Sequence, residues 1–219
     1  MTRGVTKTRS PRGRLITLEG VEGVGKSTQL NAVSERLRAR GLRVVETREP
    51  GGTQEADEVR AVLLKVRSGG FDPMAELLLM FAARAMHVDK VIRPALAAGS
   101  WVVCDRFTDA SYAYQGGGRG ISAMRIASLE RMVLKGLKPD LTLLLDVDPA
   151  VGMARARGRG ELDRFEKEKD DFFKKVRKTY LARARQEPRR IKVVDAGRDV
   201  AAVQEDVLGI VDAALSRWT

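Results

Sequence analysis

The chain has 219 residues, of which 43% are hydrophobic, so it is long enough and apolar enough to form one domain with a buried core. Its formal net charge of +11 predicts an anionic ligand or a polynucleotide partner. A single cysteine and a single histidine exclude an internal disulfide and a two-histidine metal site. No apolar stretch approaches the roughly 20 residues of a membrane-spanning helix, and the start lacks the apolar segment of a secretory signal. We therefore expect a cytoplasmic protein without a membrane partner.

Basic charge is concentrated at the start of the chain. The first 14 positions hold no acidic residue and five basic ones, namely Arg3, Lys7, Arg9, Arg12 and Arg14. We expect residues 1–13 to form a basic, disordered tail and residues 14–219 to form a single domain. The remaining charge is spread along the chain, and 3 Tyr and 2 Trp residues offer few stacking platforms for bases. We therefore expect no nucleic acid partner.

The first predicted elements are a strand, a glycine-rich loop and a helix. Leu15 to Leu18 is a short apolar run, and a helical pattern follows from Lys26 to Arg40. Further strands are predicted at Leu42 to Thr47, Trp101 to Cys104, Leu141 to Asp146 and Ile191 to Val194. The helical patterns between these strands are long enough to cross over a sheet. We therefore predict an α/β protein with a five-stranded parallel sheet and helices on both faces.

The loop after the first strand matches the phosphate-binding pattern G-x-x-x-x-G-K-[ST]. It stands between a strand and a helix, where such a loop must lie, so we favour it over a chance glycine turn. Glycines let backbone N–H groups surround phosphate oxygens, Lys26 can reach the β and γ phosphates, and Ser27 can bind Mg²⁺. The pattern predicts a P-loop NTPase fold with the phosphates of a nucleoside triphosphate bound by Gly20, Val21, Glu22, Gly23, Val24, Gly25, Lys26, Ser27 and Thr28.

An acidic ligand for Mg²⁺ is predicted at the end of a buried strand. Asp105 and Arg106 follow the strand that starts at Trp101, at the edge where open α/β sheets bind ligands. Asp146, at the end of another strand, is the alternative. We favour Asp105 because the adjacent Arg106 suits a phosphate, although an ordinary surface ion pair would have the same sequence.

A cluster of arginines follows the fourth predicted strand. Arg155, Arg157 and Arg159 alternate with small residues, and Gly158 and Gly160 loosen the segment. A lid of about residues 155–166 would exclude water and place positive charge on transferring phosphates. A solvated basic loop is the alternative, and composition alone does not separate the two.

Together these motifs resemble the thymidylate kinase family in its bacterial form. The resemblance covers nearly the whole chain from about residue 14, and its marks stand in the family's order. They are the loop Glu19 to Thr28, the run Thr47 to Thr53, the helical segment Leu77 to His87, the stretch Asp105 to Gly120 and the lid Arg155 to Glu166. The resemblance implies transfer of the γ-phosphoryl group of ATP to dTMP with Mg²⁺, on the way to dTTP. It also implies a homodimer paired through helices, and the predicted helix Pro73 to Ala98 is apolar over much of its circumference.

The resemblance further implies roles for individual residues. Lys26, Asp105 and Arg159 would be catalytic, with the lid arginine replacing one that the loop lacks at Glu22-Gly23. Phe81 would cover the thymine, with Met80 as the alternative because family members commonly carry phenylalanine at that position. The dTMP site would also comprise Glu22 at the sugar 3′-hydroxyl, Tyr114 at the 2′ position, Ser111 and Gln115 at the thymine, and Arg48, Arg84 and Arg106 around the nucleotide and its phosphate.

Some of these residues have plainer interpretations. Arg84 lies in an apolar segment, so it either meets an anion or a carboxylate there or turns to solvent. Met80 and Phe81 at helical spacing are equally typical of a core. His87 has no partner near it in the sequence, so we expect it at the surface or packed against neighbours. A kinase for another small acceptor and a nucleic-acid-binding ATPase are the rival functions.

Overall fold

The computed structural model of the chain describes residues 12–66, 71–158 and 163–218. Within these ranges five strands form one sheet in the order β2-β3-β1-β4-β5, and all neighbouring strands pair in parallel. The predicted five-stranded parallel sheet is therefore confirmed. Residues 1–11, most of the predicted tail, lie outside the described ranges. The strands are β1 (Leu15–Glu19), β2 (Val44–Arg48), β3 (Trp101–Asp105), β4 (Leu141–Asp146) and β5 (Ile191–Asp195).

Helices cover both faces of the sheet. They are α1 (Lys26–Ala39), α2 (Gln54–Leu64), α3 (Pro73–His87), α4 (Arg93–Ala97), α5 (Thr108–Ser111), α6 (Ala123–Leu134), α7 (Pro149–Arg157), α8 (Asp170–Gln186) and α9 (Val200–Trp218). Two π-helical segments, Val88–Ile92 and Tyr112–Gly118, continue α3 and α5. None of the helices in the described ranges has the length and apolar content needed to cross a membrane.

Several element boundaries differ from the sequence prediction by one or two residues, and the start of β2 and the middle of the long helix after Pro73 have identifiable local causes. β2 begins at Val44 and not at Leu42, because the N–H of Leu42 still donates to the carbonyl of Leu37 and closes α1. The predicted helix from Pro73 to Ala98 widens before Pro94, which has no N–H to donate. There the N–H of Arg93 reaches five residues back to Val88, which produces the π-helical segment.

The central strand β1 is buried on both faces. Ile16 and Leu18 point into the larger core, which α1, α8 and α9 cover. Leu15 points to the opposite face, where it packs with Val88 and Ile92. Because β1 lies in the middle of the sheet, the loop that follows it opens at the centre of the carboxyl edge.

Candidate active site

A cleft opens at this edge of the sheet, beside the ends of β1 and β3. Its walls come from the loops after β1 and β2, from α1, α2 and α3, from the segment after β3 and from residues 163–166. The lining divides into two parts, which we call the loop half and the helix half. The loop half comprises Gly23, Val24, Gly25, Lys26, Ser27, Asp105 and Arg106, and the helix half comprises Glu49, Met80, Arg84, Ser111 and Gln115.

Glycines determine the shape of the loop. Gly23 has a φ of 71°, and a Cβ on it would lie 1.9 Å from the carbonyl oxygen of Gly152 in α7. Gly25 has a φ of 85° and precedes α1 without a side-chain cap among the described residues. The first N–H groups of α1, including those of Ser27 and Thr28, are therefore left for an anion.

Lys26 is held inside the loop. Its ammonium donates to the carbonyl oxygens of Gly20 at 3.2 Å and Val21 at 2.9 Å. Burial, together with the positive charge of Arg106, lowers the pKa of Lys26 from 10.5 to about 8. The negative charges of Asp105, Glu22 and Glu19 oppose both effects. A bound phosphate would likewise favour the charged ammonium.

The structure brings Asp105 and Arg106 to the loop half. The Oδ1 atom of Asp105 is buried and has no hydrogen-bond partner among the described residues. Arg106 has a φ of 67°, a left-handed conformation that costs about 1–3 kcal/mol in a residue other than glycine. The alternative acid, Asp146, lies outside the cleft, where Arg177 donates to both of its oxygens at 2.8 Å. Of the two candidate acids, Asp105 is therefore the one with a carboxylate oxygen available to a ligand.

Glu22 and Tyr114 join the two halves of the cleft. The hydroxyl of Tyr114 donates to both carboxylate oxygens of Glu22, at 2.7 and 2.8 Å. Arg106 donates to the same carboxylate at 2.9 Å, and its guanidinium lies over the Tyr114 ring at 4.8 Å. Burial and the neighbouring Glu22 raise the pKa of Tyr114 well above its usual value, so the hydroxyl stays a donor.

Arg84 is buried in the helix half and does not turn to solvent. Its guanidinium donates to Glu49 at 2.7 Å, to the hydroxyl of Ser111 at 2.9 Å and to the carbonyl of Phe107 at 3.1 Å. Arg84 and Glu49 are 3% and 4% exposed, so each needs the other as a counter-ion. A buried ion pair therefore fixes the direction of the arginine.

Of the two positions expected for His87, the packed one is confirmed and the surface one is wrong. His87 is fully buried, and one ring nitrogen lies 3.1 Å from Glu49 while the other lies 2.6 Å from the Thr47 hydroxyl. These partners lie about 40 positions away in the sequence, at the end of β2. The histidine thus ties α3 to the loop that carries the carboxylate partner of Arg84.

The assignment of Phe81 to the ligand is also wrong. Phe81 is 2% exposed and packs with Leu77, Tyr112 and Ile126 in a core between α3 and α6. Met80, one position earlier, lines the cleft in its place. Successive residues on a helix point about 100° apart, so the rotation of α3 about its axis decides which of the two faces a ligand.

The arginine from this region that lines the cleft is Arg60, which the sequence analysis did not single out, and not the predicted Arg48. Arg48 is exposed, lies outside the cleft lining and donates to Asp57 at 3.3 Å. Arg60 of α2 lines the cleft and donates to the carbonyl of Pro50 at 2.9 Å. Burial, and next the charge of Arg48, lowers the pKa of Arg60. No motif surrounds Arg60, and the packing of α2 on α3 brings it to the cleft.

Two of the predicted lid arginines, Arg155 and Arg157, do not line the cleft. Arg155 and Arg157 are exposed residues of α7, which remains regular up to its last residue, and Arg155 donates to the carbonyl of Ala196 at 3.0 Å. Arg159 lies outside the described residues. The later part of the predicted lid does line the cleft, through Asp163, Phe165 and Glu166.

Several known proteins are similar to this chain in sequence and fold. A family model described as "Thymidylate kinase" matches residues 18–207. The chain is 56% identical to the thymidylate kinase of Chromohalobacter salexigens over 209 residues, which cover 94% of this chain and 99% of the relative. It is 54% identical to that of Pseudomonas putida strain GB-1 over 205 residues, which cover 94% and 98% of the two chains. A crystal structure of thymidylate kinase from Ehrlichia chaffeensis matches with a TM-score of 0.76 and 32% identity, covering 92% of this chain and 100% of that one.

Proposed function

This chain belongs to the thymidylate kinase family and transfers the γ-phosphoryl group of ATP to dTMP, and we propose that the cleft carries out this reaction. The observation behind the proposal is that two chemically unlike halves share one cleft. The glycine loop with Lys26 suits phosphates, and the buried Arg84 with its polar neighbours suits a flat polar ring. ATP would therefore enter at the loop half and the thymine at the helix half, with the phosphate of dTMP between them.

In the loop half, backbone N–H groups and the Lys26 ammonium would bind the ATP phosphates. Mg²⁺ fits this half, because Asp105 Oδ1 is a buried oxygen without a partner among the described residues and Ser27 offers an exposed hydroxyl. In the described part of the chain, no group of three or more His, Cys, Asp and Glu side chains could hold an ion alone. Phosphate oxygens and water would complete the coordination, and bound Mg²⁺ supplies charge neutralisation at the β and γ phosphates.

At the junction of the halves, Arg106 would bind the acceptor phosphate and oppose its charge. Glu22 holds this guanidinium at 2.9 Å, so the cation is positioned before substrate arrives. The same carboxylate accepts from Tyr114, which places an aromatic ring and an acceptor side by side. Glu22 would accept from the sugar 3′-hydroxyl, and the Tyr114 ring would occupy the space that a 2′-hydroxyl needs.

In the helix half, Arg84, Ser111 and Gln115 would meet the polar edge of the thymine, and Met80 would cover its face. The Arg84 guanidinium is already oriented by three partners, so binding costs little further ordering. The thioether of Met80 offers a polarisable surface to a ring. The helix half therefore supplies shape and hydrogen bonds, while the loop half supplies charge.

Arg159 remains the proposed lid arginine. A cation that reaches the phosphates only after closure stabilises the transition state more than the bound substrates. Arg159→Ala should therefore lower kcat more than it raises the KM for dTMP, with Arg157→Ala as the matched control. A change in KM alone would mean that Arg159 only docks substrate.

We also propose a homodimer formed through α3 and α6. These helices pack against each other and leave large apolar side chains exposed, with Leu78 at 50%, Met132 at 66% and Met124 at 76%. Exposed apolar side chains grouped on neighbouring helices are typical of a subunit interface. Light scattering at micromolar concentration should give twice the chain mass, and Leu78→Asp should shift it to the monomer. A monomeric mass for the unaltered protein would contradict the proposal.

The test of the proposed function is a coupled assay with ATP, Mg²⁺ and a panel of monophosphates. We expect dTMP to give the highest kcat/KM. Selectivity over dUMP should be modest, because one buried methyl group contributes about 1–3 kcal/mol. A higher kcat/KM for a purine or cytosine nucleotide would assign the helix half to another acceptor. A cytoplasmic location stays a prediction from the sequence.

A further inference from the structure

Glu76 is a fully buried carboxylate that does not line the cleft yet holds a residue that does. It lies on α3 and is 0% exposed. Its Oε1 atom accepts from the side-chain amide Nε2 of Gln115 at 2.9 Å. Gln115 is 1% exposed and lines the helix half. The proposed catalytic scheme makes no use of Glu76, although a buried acid is costly to maintain.

Two arginines form ion pairs with Glu76. The Arg164 guanidinium lies 2.7 Å and the Arg119 guanidinium 3.2 Å from Oε2 of Glu76. Arg164 is 8% exposed, and its Nε donates to the carbonyl of Leu63 at 2.7 Å, so it is fixed in place. Glu76 is thus the carboxylate partner of two guanidinium groups. An ionised carboxylate can only accept hydrogen bonds.

The Glu76 carboxylate, paired with both arginines, therefore determines which end of the Gln115 amide faces it. A side-chain amide has a donor end and an acceptor end, and the two have nearly the same shape. Turning the amide over would set its carbonyl oxygen against the carboxylate at hydrogen-bond distance, which is repulsive. The NH₂ group must face Glu76, so the carbonyl oxygen of Gln115 is the end left to accept from a ligand.

An acceptor at this place distinguishes pyrimidine bases. Thymine and uracil carry an N–H at ring position 3, whereas cytosine carries a lone pair there. We propose that Glu76 is the positioning residue that makes the cleft select bases with an N–H at this position, by holding the Gln115 amide in one orientation. This inference rests on the proposed function, because it needs Gln115 to meet the base.

The first test compares kcat/KM for dTMP and dCMP in the unaltered protein and in Glu76→Gln. A glutamine at position 76 can donate or accept, so the amide of Gln115 is free to turn over. We expect the dTMP to dCMP ratio to fall about tenfold or more, since one reversed hydrogen bond contributes at least this factor. An unchanged ratio overturns the proposal.

Glu168→Gln is the matched control. Glu168 pairs with Arg119 at 2.6 Å, so this variant also removes one negative charge beside the same arginine. It leaves the contact between Glu76 and Gln115 in place. We expect its dTMP to dCMP ratio to equal that of the unaltered protein. If both variants lower the ratio equally, loss of charge explains the effect and the proposal fails.

The double variant Glu76→Gln with Gln115→Glu provides a rescue. It keeps one carboxylate in the cluster but moves it to position 115, at the cleft. A carboxylate there can only accept hydrogen bonds, whichever way the amide at position 76 turns. We expect the preference for dTMP to return, and a ratio that stays low overturns the proposal. This variant also carries the test if Glu76→Gln alone fails to fold in a urea titration. Gln115→Leu separates the two levels. An unchanged ratio in Gln115→Leu refutes the base contact in the proposed function and the inference with it, whereas a lowered ratio there beside an unchanged ratio in Glu76→Gln refutes only the orientation by Glu76.

Discussion

The two halves of the cleft are built by different means. The loop half comes mainly from consecutive residues, and its geometry follows from glycines such as Gly23 and Gly25. The helix half comes from buried ion pairs between distant segments, such as Arg84 with Glu49, 35 positions apart. Where backbone N–H groups bind the ligand, short-range sequence specifies the site. Where side chains bind it, a buried network must first hold those side chains in place.

From this comparison we expect substitutions in the helix half to lower the free energy of unfolding. Glu49→Ala should leave the Arg84 guanidinium buried without its counter-ion, at a cost of about 3–5 kcal/mol in the free energy of unfolding. Urea titration measures this loss. Asp57→Ala is the control, because it breaks the exposed pair with Arg48, which should cost less than about 1 kcal/mol. Equal losses in the two variants would contradict the buried-pair explanation.

Substitutions in the loop half should instead lower kcat and leave the fold stable. Lys26→Ala should lower kcat about 10²- to 10³-fold, the usual effect of removing one preorganised contact to transferring charge. The fold should be retained. The pKa of Lys26 is lowered by burial, which means that the folded state disfavours the charged ammonium and gains little stability from it. Steady-state kinetics and a urea titration measure both effects. Lys90→Ala, at an exposed lysine, should change neither, and near-normal turnover in Lys26→Ala would refute the loop assignment.

Tyr114 tests the junction of the two halves. Tyr114→Ala should open space at the sugar and weaken the preference for dTMP over the ribonucleotide by roughly 10- to 200-fold, the effect of one pocket contact. Tyr114→Phe keeps the ring and loses only the hydroxyl contact with Glu22, so it should retain that preference. The measurement is kcat/KM for both nucleotides with each variant. Undiminished discrimination in Tyr114→Ala would remove this residue from the sugar site.

The smallest expected effect concerns the last residue of β1, just before the glycine-rich loop. Glu19 ends β1 and accepts from the N–H of Phe107 at 2.8 Å and the hydroxyl of Tyr180 at 2.7 Å. Burial, and next the charge of Asp109, raises the pKa of Glu19 from 4.5 to about 8. Between these values the folded protein keeps a proton that the unfolded chain has lost, so the contribution of Glu19 to stability falls as pH rises.

From pH 6 to pH 7 the free energy of unfolding should therefore fall by up to about 1.4 kcal/mol through Glu19. Glu19→Gln, which does not titrate, should remove this part of the slope in urea titrations at the two pH values. Glu58→Gln, at an exposed acid, should leave the slope unchanged. A slope in Glu19→Gln equal to that of the unaltered protein would contradict the raised pKa.

Sequence reasoning predicts the sheet well because its signals are local. The apolar runs at Leu141–Asp146 and the other strands are short and separated by helical patterns, and each end lies within two residues of its predicted position. The same reasoning fails for Phe81 and Met80, because both lie in an apolar helix and no local signal reports its rotation. It also does not identify Arg60, because no local motif marks this residue and the packing of α2 on α3 brings it to the cleft.

By itself, the sequence determined the parallel sheet and the phosphate-binding loop, and it carried the motifs of the thymidylate kinase family. Backbone conformation depends on nearest neighbours, so glycines and apolar periodicity express it within a few residues. Only the tertiary structure decided that His87 is buried against Glu49, that Met80 and not Phe81 faces the cleft, and that Glu76 orients Gln115. Buried charge can be tolerated only beside a partner, and that partner is a property of the packed chain and not of any short stretch of it.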